Sequence, residues 1–164
     1  MEDIEFLVRQ AQRGNHEAFI QLISGYEKVL YVTAQRFLRN KHDVADVMQD
    51  TILIGYRDIK KLKSPKYFNT WIYKILVNNC KKYLAKSGQL SFEEYDGTVS
   101  YSSEKMELNE LIGQIADIYK IPLVLFYYND LSLNEISEIL EIPVGTVKSR
   151  LYRGRSLLEE QYKH

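Results

Sequence analysis

Cysteine is almost missing from this chain. The single Cys80 excludes an internal disulfide framework and a cysteine-based zinc site. Histidine is scarce as well: His16, His42 and His164 are scattered and leave little for metal chemistry. The longest purely apolar stretch, Ile121 to Tyr128, is far short of the ~20 residues needed to cross a bilayer. The opening Met1-Glu-Asp-Ile-Glu is acidic and lacks the basic-then-apolar layout of a secretion signal, so a cytoplasmic protein is expected. An excess of either charge is absent too, because 22 Lys/Arg balance 22 Asp/Glu. The 164 residues leave room for one domain with a sizeable core, or for two of roughly 60–90 residues each.

Only three prolines and eight glycines interrupt the chain, which permits long helices. Apolar residues recur at helical spacing almost throughout. Phe6, Ala11, Ala18, Phe19, Leu22, Ile23 and Tyr26 form one series, continued by Val29, Val32, Ala34, Phe37 and Leu38. Val44, Val47, Met48, Ile52 and Tyr56 form another, and Trp71, Ile75, Leu76 and Cys80 a further one. Apart from a weak stretch at Gln89–Tyr95, no segment alternates with the period of a strand. The expected fold is all-α. The stripe fails between about Lys86 and Met106, where a polar, glycine-containing segment cannot offset its ordering entropy and reads as a flexible linker, unless Leu90, Phe92 and Tyr95 dock it on a domain. Helical spacing resumes with Leu108, Leu111, Ile112, Ile115 and Ile118. Two small helical domains are therefore expected, 1–86 and 107–164, joined by a linker at 87–106.

The balanced total hides unlike parts. Residues 1–86 hold fifteen Lys/Arg against nine Asp/Glu, about +6, whereas residues 87–109 come to about −4 and residues 110–164 to about −2. From Arg57 to Lys86 nine cations face Asp58 alone, which is an electrostatic footprint for a polyanion.

The stretch Leu131–Arg155 reads as a helix-turn-helix. Ser132 and Glu135 have the spacing of a capping box that starts a helix through about Leu140. Ile136, Ile139 and Leu140 give that helix its buried face, and Glu141-Ile142-Pro143 is expected to end it because proline cannot continue the ladder. On the second helix Val147, Leu151, Gly154 and Leu158 share the packed side, leaving Thr146, Lys148, Ser149, Arg150, Tyr152, Arg153 and Arg155 elsewhere on its surface. Four cations and no acid lie between Val144 and Arg155, as a helix that enters the major groove requires. A solvated basic helix on a bundle would carry the same charges but would not need the capped helix and short turn before it.

Gly145-Thr-Val-Lys-Ser-Arg-Leu-Tyr-Arg-Gly-Arg155 resembles the promoter-reading module (region 4) of bacterial RNA polymerase sigma factors, in particular the extracytoplasmic-function (ECF) group. The resemblance implies that Ser149, Tyr152 and Arg153 face bases of the −35 element, while Thr146, Lys148, Arg150 and Arg155 mostly hold phosphates. Gly154 departs from the family's usual alanine, which weakens the helix by up to ~1 kcal/mol.

Asp43, Asp46, Gln49 and Asp50 fall on one polar helical face opposite Val44, Val47 and Met48. Alone this is an ordinary solvated face; by its resemblance to the family's region 2 it docks on the β′ clamp helices of core polymerase. Tyr67 to Tyr83 interleaves aromatics with cations, the mixture that neutralises phosphates and captures an unstacked base. It resembles the family's region that recognises and melts the −10 element, with the preceding Lys61–Lys66 loop cradling a flipped base. Lys63, Lys66, Tyr67, Asn69, Lys74, Asn78 and Lys82 are the expected contacts; Trp71, Ile72, Ile75 and Leu76 are expected in the core, and Asn78 could equally serve a structural hydrogen bond.

The resemblance further implies core RNA polymerase (β′ clamp helices and β flap) and promoter DNA as partners, and an anti-sigma factor, often membrane-bound in the family. It implies no enzyme activity, cofactor, metal or small-molecule substrate. About twenty linker residues at ~3.3 Å each reach up to ~65 Å, which, with the width of the modules, spans DNA elements two helical turns (roughly 70 Å) apart. The acidic linker suits a family-like path through the polymerase's RNA-exit channel. A stand-alone helix-turn-helix regulator is the main rival, and it leaves the Asp43–Asp50 face and the Tyr67–Tyr83 helix without a purpose. A helical metal-dependent hydrolase built on Asp43, Asp46 and Asp50 lacks partner ligands beyond His42.

Overall fold

In the computed structural model, residues 3–86 and 108–162 are described. The expected linker at 87–106 and the Gln89–Tyr95 stretch lie outside these residues. Among the described residues the fold is all-α with no strand, and the chain divides into two compact units at Tyr83/Leu84.

The first unit contains α1 (Ile4–Gln12), α2 (His16–Phe37), α3 (Lys41–Asp58) and most of α4 (Phe68–Lys86), with two 3-10 turns, Ile59–Lys61 and Pro65–Tyr67, between α3 and α4. Short polar side chains start the helices by accepting from otherwise orphaned amides. Asp3 accepts from Glu5 N at 3.3 Å, Asn15 from Ala18 N at 3.1 Å, and Asn40 from His42 N at 2.8 Å. Between α1 and α2 the chain turns at Gly14, whose φ of +96° favours glycine. The two apolar series expected over residues 18–38 are one continuous helix, α2, buried along Ala18, Phe19, Leu22, Ile23, Tyr26, Leu30, Ala34 and Phe37.

Three residues of the expected apolar series are instead exposed, Tyr56 of α3 among them at 45% accessible. Phe6 is 48% accessible while Leu7 and Val8 are buried, and Val29 is 37% accessible while Leu30 is buried. In α1 four apolar residues occur within five positions, so spacing alone does not fix which face turns inward. The loop from Ile59 to Tyr67 is held to α1 by Gln12, whose side-chain amide donates to Ile59 O (2.9 Å) and Leu62 O (2.8 Å).

The second unit contains α5 (Leu108–Gly113), α6 (Asp117–Tyr127), α7 (Leu133–Leu140) and α8 (Val144–Tyr162), with α6 packed on α7 and α8, and α5 on α8. Every residue from Asp117 to Leu125 is buried. The interior accepts Lys120 because its Nζ lies 3.0 Å from Asp117 Oδ1 within the same helix. The chain leaves α6 through Asp130, which is in the left-handed region at φ 53°. The capping box then starts α7: Glu135 N donates to Ser132 Oγ at 3.1 Å and Ser132 N to Glu135 Oε1 at 3.0 Å.

α7 ends at Leu140 as expected, but Pro143 is not what ends it. The helix is stopped by Glu141, left-handed at φ 57°, with its amide returning to Ser137 O. Pro143 instead precedes α8, and its carbonyl accepts from Thr146 N (3.0 Å) and Val147 N (3.1 Å).

Candidate nucleic-acid and partner interfaces

The acidic face of α3 is gathered around a residue of another helix. Asp46 and Gln49 are exposed, Asp43 and Asp50 half-buried, and Val44, Val47 and Met48 are buried on the opposite side. Tyr83 of α4 donates its hydroxyl to Asp50 Oδ2 at 3.3 Å. Partial burial, then the fields of Asp50, Asp46 and Asp43, push the Tyr83 phenol above its ordinary pKa. All three carboxylates therefore act on one spot. The turn that closes α3 is differently charged: Asp58 takes Arg57 bidentately (2.9 and 2.8 Å) and also meets Lys61 (3.4 Å). The hydrogen bond from Arg57 pulls the Asp58 carboxyl down to about 2.

The expected −10 contacts occupy the loop after α3 and the surface of α4. Lys63 and Lys66 are exposed, and Lys66 Nζ sits 5.0 Å from the centroid of the Tyr67 ring. Tyr67 is 53% accessible and can offer its ring to a stacked base. Asn78 and Lys82 are exposed and Lys74 is half-buried. Asn69 already has a task within the fold, since its Oδ1 accepts from the Tyr26 hydroxyl at 2.8 Å. Burial, with a smaller contribution from Tyr73, pushes that phenol up to about 12. The structural asparagine beside Asn78 is Asn79: it is buried and donates to Thr51 Oγ1 of α3 at 3.1 Å.

The core expectation for α4 needs one correction. Ile72 and Leu76 are fully buried, but Trp71 and Ile75 are only partly covered. The buried positions of α4 are Phe68, Thr70, Ile72, Tyr73, Leu76, Val77, Asn79, Cys80 and Leu84, a stripe displaced from the expected one. Trp71 lies at its margin, 5.8 Å from the Phe68 ring.

On α8 the buried seam is Val147, Leu151, Gly154, Leu157 and Gln161, so Leu157 rather than Leu158 carries the last apolar contact. Lys148, Ser149, Tyr152 and Arg155 are exposed, and Thr146, Arg150 and Arg153 half-buried. Tyr152 is 69% accessible, a large ring left in water on the face expected to meet the −35 element. Ser149 Oγ donates to Thr146 O at 3.1 Å. Arg155 Nη1 donates to the hydroxyl of Tyr127, on α6, at 2.9 Å. Tyr127 escaped the sequence reading because it lies 28 residues away inside an apolar run; only the phenol at the end of that run hinted at a polar task.

Gly154 also has a structural cause. A Cβ at this position would lie 2.7 Å from Leu123 Cδ1 and 3.1 Å from Leu123 Cγ. Leu123 is buried and occupies the space that alanine would take.

Comparison with known proteins gives these surfaces a context. Residues 22–89 match the Sigma-70 region 2 family and residues 105–158 the Sigma-70, region 4 family. The ECF RNA polymerase sigma factor SigW of Bacillus subtilis is 30% identical over 95% of both chains. The ECF RNA polymerase sigma-E factor of Haemophilus influenzae is 31% identical over 94% of this chain and 93% of its own. Among solved structures, CnrH in complex with the cytosolic domain of CnrY shares the fold with a TM-score of 0.74 at 22% identity, covering 96% of this chain and 95% of CnrH. The sigma factor RpoE from Bartonella quintana, in complex with the anti-sigma factor NepR, has a TM-score of 0.71 at 20% identity over 88% of this chain and 96% of its own. With both sigma regions matched in order and relatives aligned over nearly their whole length, the chain belongs to the ECF group of RNA polymerase sigma factors.

Proposed function

We propose that this sigma factor binds core RNA polymerase through Asp43, Asp46, Gln49 and Asp50, and divides promoter recognition between its two units. In this division residues 1–86 dock on the β′ clamp helices and open the −10 element, residues 107–164 read the −35 element and meet the β flap, and residues 87–106 link them. The acidic face of α3 carries the reading, because a stand-alone helix-turn-helix regulator has no use for it. Its carboxylates suit arginines and lysines of a protein partner, and they would repel DNA phosphates. The positive loop and α4 surface of the same unit supply what DNA opening needs: Lys63, Lys66, Lys74 and Lys82 for phosphates, Tyr67 for an unstacked base, Asn78 for a base edge. Asn69 contributes through its amide nitrogen while its oxygen holds Tyr26.

On α8, Ser149, Tyr152 and Arg153 read bases in the major groove, and Thr146, Lys148, Arg150 and Arg155 engage phosphates. Tyr127 positions Arg155 for that contact. None of these steps makes or breaks a covalent bond. The protein works in the cytoplasm, and an anti-sigma factor holds it inactive by covering the polymerase-binding surfaces; that the similar RpoE is solved in complex with an anti-sigma factor supports such a partner.

Run-off transcription with purified core polymerase tests the reading. The chain should direct start sites that core alone does not use, and Asp46→Arg with Asp50→Arg should abolish both those transcripts and polymerase pull-down. Unchanged pull-down by the double variant would remove α3 from the account. The free protein should bind promoter DNA weakly and with steep salt dependence, since each unit alone makes few base contacts.

A further inference from the structure

One cavity of the first unit is not used by any role above. It has a volume of about 230 Å³ and lies where the α1–α2 corner meets the end of α3. Its floor is apolar, made by the buried Ala11, Phe19 and Ile59. Its rim is formed by the exposed His16, Tyr56, Arg57 and Lys60, and none of its lining residues is acidic.

The aromatic wall is ordered. Tyr56 stands edge-on to Phe19, with centroids 5.3 Å apart at 69°, and its hydroxyl is hydrogen-bonded to His16 Nδ1. Asp58 takes the Nε and Nη2 edge of Arg57, which fixes the guanidinium in one orientation. The corner itself is set by Gly14 at positive φ, and Gln12 ties the turn bearing Lys60 back to α1. These contacts pre-form the cavity, so a ligand need not order it on arrival.

We propose that this cleft binds a nucleotide, with the base on the Phe19–Tyr56–Ile59 floor and wall and the phosphate at Arg57 and Lys60. An inorganic anion would need the cations but not the apolar floor. A neutral apolar ligand would need the floor but not two permanent cations. A planar base joined to a phosphate uses both, by stacking and charge neutralisation. The same chemistry can arrive as a free nucleotide or as an unpaired DNA strand. The inference stands apart from the roles proposed for Lys63, Lys66 and Tyr67 and does not depend on them.

The test is a titration of the ¹⁵N-labelled full chain with adenosine monophosphate, with single-stranded hexathymidylate, and with inorganic phosphate, following the amides of Gly14, His16 and Lys60. A nucleotide should shift all three saturably, and Lys60→Gln and Tyr56→Leu should each weaken that response at least five-fold. Because Lys60 is exposed, its variant keeps the test valid if Tyr56→Leu fails to fold. A response to adenosine monophosphate identifies free nucleotide as a sufficient source; a response to the oligonucleotide alone assigns the cleft to a DNA strand. Silence at these three amides overturns the proposal, even if Lys66 and Tyr67 respond. So does an equal response to phosphate, which would leave the base without a role.

Discussion

α4 and α8 are both nineteen residues long and both are proposed to contact DNA, yet they present their chemistry in opposite ways. α4 is inner scaffolding of its unit. Phe68, Thr70, Ile72, Tyr73, Leu76, Val77, Asn79, Cys80 and Leu84 are buried, and on its remaining side Asn78 and Lys82 are exposed and Lys74 is half-buried. α8 is a surface helix with a thin seam through Val147, Leu151, Gly154 and Leu157, and most of its circumference faces outward. The difference teaches where stability and recognition are inseparable. On α4 one residue decides between them; on α8 whole faces do.

The sharpest way to break this comparison is to truncate the α4 core. Ile72→Ala should cost about 2–5 kcal/mol in denaturant unfolding, because its fully buried side chain fills space beside Gly55, where a Cβ would lie 3.4 Å from Ile72 Cδ1. Trp71, the only tryptophan, makes fluorescence a reporter of the first unit alone. A cost below 1 kcal/mol would mean that α4 is not scaffolding.

A finer cut uses adjacent asparagines. Asn79→Ala should cost about 1–3 kcal/mol, since it strands the buried Thr51 hydroxyl. Asn78→Ala should stay within about 0.5 kcal/mol in stability and weaken −10 recognition instead. Similar stability effects from the two would erase the distinction.

On α8, Gly154→Ala sets helix propensity against space. The gain of up to ~1 kcal/mol should be outweighed by overpacking of about 1–3 kcal/mol against Leu123, giving a net loss in thermal or chemical unfolding. Leu123→Val should recover most of it; stabilisation by Gly154→Ala alone would show that Leu123 yields easily. Ser132→Ala should cost about 1 kcal/mol by removing the capping box, read by circular dichroism on unfolding.

The last expected effect is alkaline. Tyr26 ionises near pH 10 when unfolded but only at about 12 in the fold. The folded state therefore holds the proton more tightly, and the contribution of Tyr26 to stability should be complete below pH 10 and be lost as pH rises from 10 to 12. Burial pushes the Cys80 thiol to about 12 as well and contributes in the same direction. Tyr26→Phe should flatten its share of the decline. An unchanged slope would place the titration elsewhere.

The same contrast explains what could be read from the residues alone. The second unit announces itself through local chemistry: the Ser132–Glu135 box, the turn before Pro143 and the basic run to Arg155 all act within a few residues. The end of α7 at Leu140 was legible but its cause was not, because Glu141 adopts a left-handed cap that its side chain does not advertise. In the first unit the decisive contacts are distant in sequence. Asn79 is structural because Thr51 lies across from it, Asn69 is partly committed because Tyr26 reaches it, and Asp50 is engaged because Tyr83 does. Periodicity could place these residues on helices but could not pair them. Phe6 shows the same limit, since four apolar neighbours on a short helix leave its phase to be settled by packing.

The division of labour between the units is tested most directly by footprinting holoenzyme on a promoter defined by run-off transcription. Lys66→Ala with Tyr67→Ala should abolish permanganate reactivity at the −10 element while hydroxyl-radical protection at the −35 element persists. Ser149→Ala with Arg153→Ala should remove the −35 protection. If both pairs erased the same signals, or neither erased any, the separate roles given to the two units would be contradicted.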